Sequence, residues 1–121
     1  MSLTPKLSLL GLLLISFCSS NNTKSAEMTL KPGDPLNQEV LRTERMNISG
    51  LNLLIKGEIK GSGQLSFGYS DSTAYKTYEV REGKIEVKYE GDWYSEFCYI
   101  TYRPTTETKG QLKIDGDFIG D

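Results

Sequence analysis

From Leu51 onward the chain keeps a repeat of two, and that repeat constrains the fold more than any other feature. Leu51, Leu53, Ile55, Gly57 and Ile59 fall on one side, while Asn52, Lys56, Glu58 and Lys60 fall on the other. Leu65, Phe67 and Tyr69 alternate with Gln64, Ser66 and Gly68. Tyr78 and Val80 alternate with Thr77, Glu79 and Arg81, and Ile85, Val87 and Tyr89 with Glu86, Lys88 and Glu90. Residues 93–102 are rich in aromatic and β-branched side chains. After Lys109-Gly110, Leu112, Ile114, Gly116 and Phe118 repeat the pattern. Successive side chains of a strand point to opposite faces, so each segment is a strand with one oily face. Polar outer faces indicate antiparallel sheets. Turn signals stand at Gly61-Ser62-Gly63, Ser70-Asp71-Ser72, Glu82-Gly83 and Glu90-Gly91-Asp92. The glycine turn at 61–63 and the one at 82–83 read as hairpin turns.

Six strands follow at spacings of about ten residues. A seventh is predicted within 39–48, with Val40, Met46 and Ile48 on its inner face. The expected fold is a single all-β domain over residues 37–121, an antiparallel β-sandwich or small barrel of about seven strands.

The N-terminus is built differently. Residues 7–17 form an apolar run preceded by Lys6. A helix of that length rises about 16 Å, half of a bilayer core, which suits a secretory signal better than a membrane span. Ile15-Ser16-Phe17-Cys18, followed by the polar stretch Ser19-Ser20-Asn21-Asn22, resembles the lipobox of bacterial lipoproteins. The resemblance covers about residues 1–20. It implies removal of residues 1–17, lipid on Cys18, and a place in the cell envelope on a membrane. Phe17 stands where that family has a small residue, so cleavage near Ser20 or Ala26 into a secreted or periplasmic form is the alternative. Residues 18–36, with Pro32-Gly33-Asp34-Pro35, read as a polar tether containing a turn.

Composition narrows the function. The chain has no His, 14 Lys+Arg and 16 Asp+Glu. Without His there is no His-based catalytic triad, and two Cys leave zinc short of ligands. Net charge of −2 gives no basic footprint for nucleic acid. No enzyme activity, cofactor or metal site is expected. Asp115-Gly116-Asp117 offers oxygen ligands but not the spacing of a twelve-residue calcium loop. Cys98 reads as a buried thiol.

The candidate binding residues are Tyr75, Trp93 and Tyr94, because aromatic faces stack on sugar rings and anchor protein interfaces. Trp93 equally suits a core position at the start of a strand. The expected role is non-catalytic binding or structure in the envelope, toward protein or glycan. A secreted inhibitor of a lytic enzyme is the alternative, with Arg103-Pro104-Thr105-Thr106 as its projecting loop.

Overall fold

The alternating segments pair by one simple rule. The computed structural model describes residues 23–121. They form β1 (Thr23–Leu30), β2 (Asn37–Arg42), β3 (Gly50–Lys60), β4 (Gly63–Gly68), β5 (Ala74–Val80), β6 (Gly83–Asp92), β7 (Phe97–Pro104) and β8 (Lys109–Ile119). β1 pairs with β8, β2 with β7, β3 with β6 and β4 with β5, all antiparallel. This is the pairing of one long hairpin whose tip lies between β4 and β5. Two further antiparallel pairs, β3 with β8 and β4 with β7, roll the hairpin onto itself. Two four-stranded sheets result, ordered β1-β8-β3-β6 and β2-β7-β4-β5. An eight-stranded double sheet of this kind is a jelly roll. The chain is therefore an all-β sandwich, and the barrel alternative falls away.

The inward faces follow the repeat of two. Leu51, Leu53, Ile55 and Ile59 of β3 meet Leu65 and Phe67 of β4, Ile85 and Val87 of β6, Ile100 of β7, and Leu112, Ile114 and Phe118 of β8 in one buried cluster. Apolar burial of this extent, at roughly 25 cal/mol per Å², is the main force holding the sheets together.

Four expectations are corrected. Residues 23–30, assigned to the tether, form β1. Met28 and Leu30 are buried there, and Ala26 faces Ile114 of β8. Two buried side chains and a full ladder of backbone bonds outweigh the polar composition that concealed this edge strand. Only residues 31–36 link it to β2, through a turn in which the Asp34 amide donates to the Lys31 carbonyl at 3.2 Å and Gly33 takes φ +94°.

The strand expected over 39–48 ends at Arg42, and its inner face carries Leu41, not Val40 and Met46. Buried Thr43 stops it: its amide donates to the Glu96 carbonyl, and its hydroxyl accepts from the Arg45 amide. Residues 61–62 and 81–82 are not hairpin turns. They are corners where the chain leaves one sheet for the other: β3 already lies between β8 and β6, and β6 pairs with β3 rather than with β5 before it. At the first corner a Cβ on Gly61 would stand 2.2 Å from the Glu107 carbonyl, and φ is +99°, so glycine is required. Finally, residues 90–92 continue β6. Gly91 leaves room for the Tyr89 hydroxyl, which donates to the Asp92 carbonyl at 2.7 Å.

Candidate aromatic binding site

Antiparallel alternation brings loops 43–49, 69–73 and 93–96 to one end of the sandwich. The start of β1 and the C-terminus lie there too. The C-terminal residues are tied in by paired amides and carbonyls of Met46 and Asp121, and by the Asn47 side chain on the Asp121 carboxylate at 2.6 Å. On one flank the edge strands β1 and β2 pack together. On the other flank, edge strands β5 and β6 leave a gap, and aromatic rings fill it.

Trp93 follows β6 directly and is completely buried. Its indole Nε1–H donates to the Phe97 carbonyl at 3.0 Å and its amide to the Ser49 carbonyl at 3.3 Å. Tyr69 lies flat on the indole, with centroids 4.0 Å apart and planes at 19°. Tyr75 stands edge-on to Trp93 at 5.7 Å, to Tyr89 at 5.7 Å and to Tyr69 at 6.0 Å. Phe67 closes the cluster from the core, 5.8 Å from Trp93. The Lys76 ammonium sits 5.9 Å from the centre of the Tyr89 ring. Burial, and then the neighbouring Tyr75 hydroxyl, hold the Tyr89 phenol protonated well above the ordinary tyrosine range. Tyr69 remains 36% exposed and Tyr75 46%. The cluster therefore offers two partly exposed rings on a rigid buried base.

Of the residues picked from sequence, Tyr75 and Trp93 come together, with Trp93 beneath the surface and unable to touch a ligand itself. Tyr94 does not join them. It is 69% exposed and lines a separate shallow groove with Met46, also 69% exposed. Tyr69 belongs to the cluster and was absent from the candidates. Its signal was its parity with Leu65 and Phe67 at the end of the β4 alternation.

Behind the 69–73 loop, the outer face of the second sheet has a polar hollow of about 110 Å³, lined by Ser66, Ser72, Thr73, Thr77, Thr101 and Arg103 among others. That is below the ~300–1,000 Å³ of a small-molecule pocket. Residues 103–106 do not project: Arg103 and Pro104 belong to β7, and the amides of Thr105 and Thr106 donate to the Ser62 carbonyl at 2.9 and 3.2 Å. Asp115 accepts from the Ser25 hydroxyl at 2.6 Å. Among the described residues no three His, Cys, Asp or Glu side chains converge as a metal site. Cys98 is a buried free thiol, pushed up to about 12 by burial. Cys18 lies outside the described residues.

The fold and cluster define a small jelly-roll domain with an aromatic flank. No protein-family model matches the chain, and no curated protein matches it significantly. Among solved structures it is similar to the coat protein of Tobacco streak virus, at 8% identity and a TM-score of 0.38, over 80% of this chain and 87% of that one. A likeness at that level carries no argument about function.

Proposed function

We propose that the protein is an exported envelope domain, anchored to a membrane by lipid on Cys18, that binds glycan non-catalytically on Tyr69 and Tyr75. The observation that supports this reading is the pair of exposed rings fixed on buried Trp93. Rings already ordered lose little entropy when a sugar stacks on them. The hydroxyl-lined hollow beyond the 69–73 loop supplies hydrogen-bonding groups of the kind sugars use. Anchoring adds a constraint. Four residues, 19–22, separate Cys18 from β1, a reach of at most about 17 Å. The loop end is then held near the bilayer, so the ligand is a glycan of the envelope surface.

Two measurements test the reading. Intact mass of the membrane fraction is expected to show a diacylglycerol-bearing Cys18 as the N-terminus, and Cys18→Ala to release the protein from the membrane; an unmodified N-terminus elsewhere removes the anchor. The full chain on a glycan array is expected to bind envelope sugars, with binding lost in Tyr75→Ala and retained in Tyr94→Ala. Binding indifferent to Tyr75, or no sugar binding at all, removes the ligand assignment and leaves a protein partner in its place.

A further inference from the structure

The first sheet ends at β6, whose outer backbone groups have no partner strand among the described residues. An unpaired edge is a template for another strand. The outward side chains of β6 are Lys84, Glu86, Lys88, Glu90 and, at its end, Asp92, all exposed, and its inward ones include Ile85, Val87 and Tyr89. This order has a property visible only when β6 is laid antiparallel on a second copy of itself, centred on Val87. Lys84 then faces Glu90 and Glu86 faces Lys88, so each of the four outward residues from Lys84 to Glu90 meets an opposite charge. Sliding the strands by two residues in one direction sets Lys84 against Lys88 and Glu86 against Glu86. Sliding the other way sets Glu86 against Glu90 and Lys88 against Lys88, and only Lys84 against Asp92 joins opposite charges. A slip of one turns the inward side chains outward. One register joins opposite charges from Lys84 to Glu90, and in each neighbouring register like pairs outnumber opposite ones.

The charges continue a ladder already present in the sheet. Lys56 of β3 lies opposite Glu86, and Glu58 opposite Lys84. The centred pairing extends these rows as Lys56–Glu86–Lys88 and Glu58–Lys84–Glu90. Just beyond the strand Glu82 comes level with Asp92, but its carboxylate is turned to its own corner, where it accepts from the Gly61 amide at 3.4 Å. On the inner face Ile85 of one copy arrives beside Tyr89 of the other, and so beside the exposed Tyr75.

We infer that the protein forms a two-fold symmetric dimer by antiparallel β6–β6 pairing centred on Val87, joining the two first sheets into one of eight strands. Such an interface is isologous, as closed dimers require. The inference is independent of the sugar-binding reading, because it uses the backbone and charges of β6. The two meet at Tyr75, for which sugar and second copy compete.

The test uses the full chain in non-ionic detergent at low salt, without sugar, by sedimentation velocity. The native chain is expected to dimerise. Lys88→Glu turns both Glu86–Lys88 contacts of the dimer into like pairs, and Glu86→Lys does the same with the opposite sign; each is expected to weaken association by at least about tenfold. An equimolar mixture of the two variants restores opposite charges across one heterodimer and is expected to associate as the native chain does. Circular dichroism checks that both variants keep their strands. A native chain that stays monomeric at its highest soluble concentration overturns the inference. So do single variants that dimerise like the native chain, or a mixture that fails to associate.

Discussion

Trp93 is the only tryptophan in the chain, it is fully buried, and it carries Tyr69 on its face. Replacing it with alanine removes the base of the aromatic cluster. Deleting a buried large aromatic costs about 3–5 kcal/mol. A domain of this size has roughly 5–15 kcal/mol of stability in all. With a urea slope of about 2 kcal/mol per molar, the unfolding midpoint is expected to fall by roughly 2 M at unchanged slope. Trp93→Phe keeps a ring but leaves the partly buried Phe97 carbonyl without its 3.0 Å donor, so an intermediate loss of about 1–3 kcal/mol is expected. The control is one residue away: Tyr94→Ala, at a 69% exposed position, is expected to stay within about 0.5 kcal/mol. Far-ultraviolet circular dichroism follows all four chains, since two lack the indole. In the native chain, acrylamide is expected to quench the indole weakly. A Trp93→Ala midpoint within about 0.5 M of native, or an indole quenched as freely as in the unfolded chain, would refute the buried-base reasoning.

Two glycines with inward parity separate backbone from side-chain crowding. A Cβ on Gly57 would lie 2.1 Å from the Gln111 carbonyl, so Gly57→Ala must push β3 from β8 and is expected to cost about 3 kcal/mol or more. A Cβ on Gly116 first meets Leu41 Cδ1 at 2.7 Å, the movable end of a side chain, so Gly116→Ala is expected to cost about 1 kcal/mol or less. Equal urea midpoints for the two variants contradict this. For Cys98 the folded thiol ionises at about 12 against an ordinary 9.0, because burial disfavours the thiolate. Stability from the neutral thiol is fully present below pH 9 and is lost as pH rises toward 12, by on the order of 4 kcal/mol in total. The native chain's stability advantage over Cys98→Ala is expected to shrink steadily above pH 9; a constant difference would show that the thiol ionises freely.

The faces of the strands were legible in the sequence because the two-residue repeat is a local property. Leu51 through Ile59 and Leu112 through Phe118 are buried on the parity their order predicts. Partners were not legible. β1 finds β8 across nearly the whole domain, and nothing near Thr23 announces Asp117. Short glycine loops at 61–63 and 82–83 look like hairpin turns by length alone. Whether such a loop reverses within a sheet or crosses between sheets depends on pairings made far along the chain: β3 lies between β8 and β6, and β6 pairs with β3 rather than with β5 before it. The 39–48 segment was misread because Thr43 ends the strand through tertiary bonds to Glu96, and its parity was taken from residues beyond that stop. For the candidate site, the residue types pointed to Tyr75 and Trp93. That Trp93 lies beneath Tyr69, and that adjacent Tyr94 stands apart, follows only from the corner the chain turns after Asp92.

Lysine on an edge strand usually serves to keep other strands away. For that purpose the order of charges hardly matters, and a row of lysines alone is the stronger deterrent. β6 instead alternates the sign at its outward positions from Lys84 to Glu90, which favours one antiparallel register over the two beside it. The inward side points the same way. Tyr89 borders the gap between β6 and the edge strand β5 of the other sheet, with Tyr75 exposed across it. The opposite flank answers the same problem within the chain, where β1 and β2 pack on one another and need no visitor. A rolled hairpin has two such flanks. This one is sealed where its terminal strands meet, and the aromatic flank is where both the ligand reading and the dimer make their contacts.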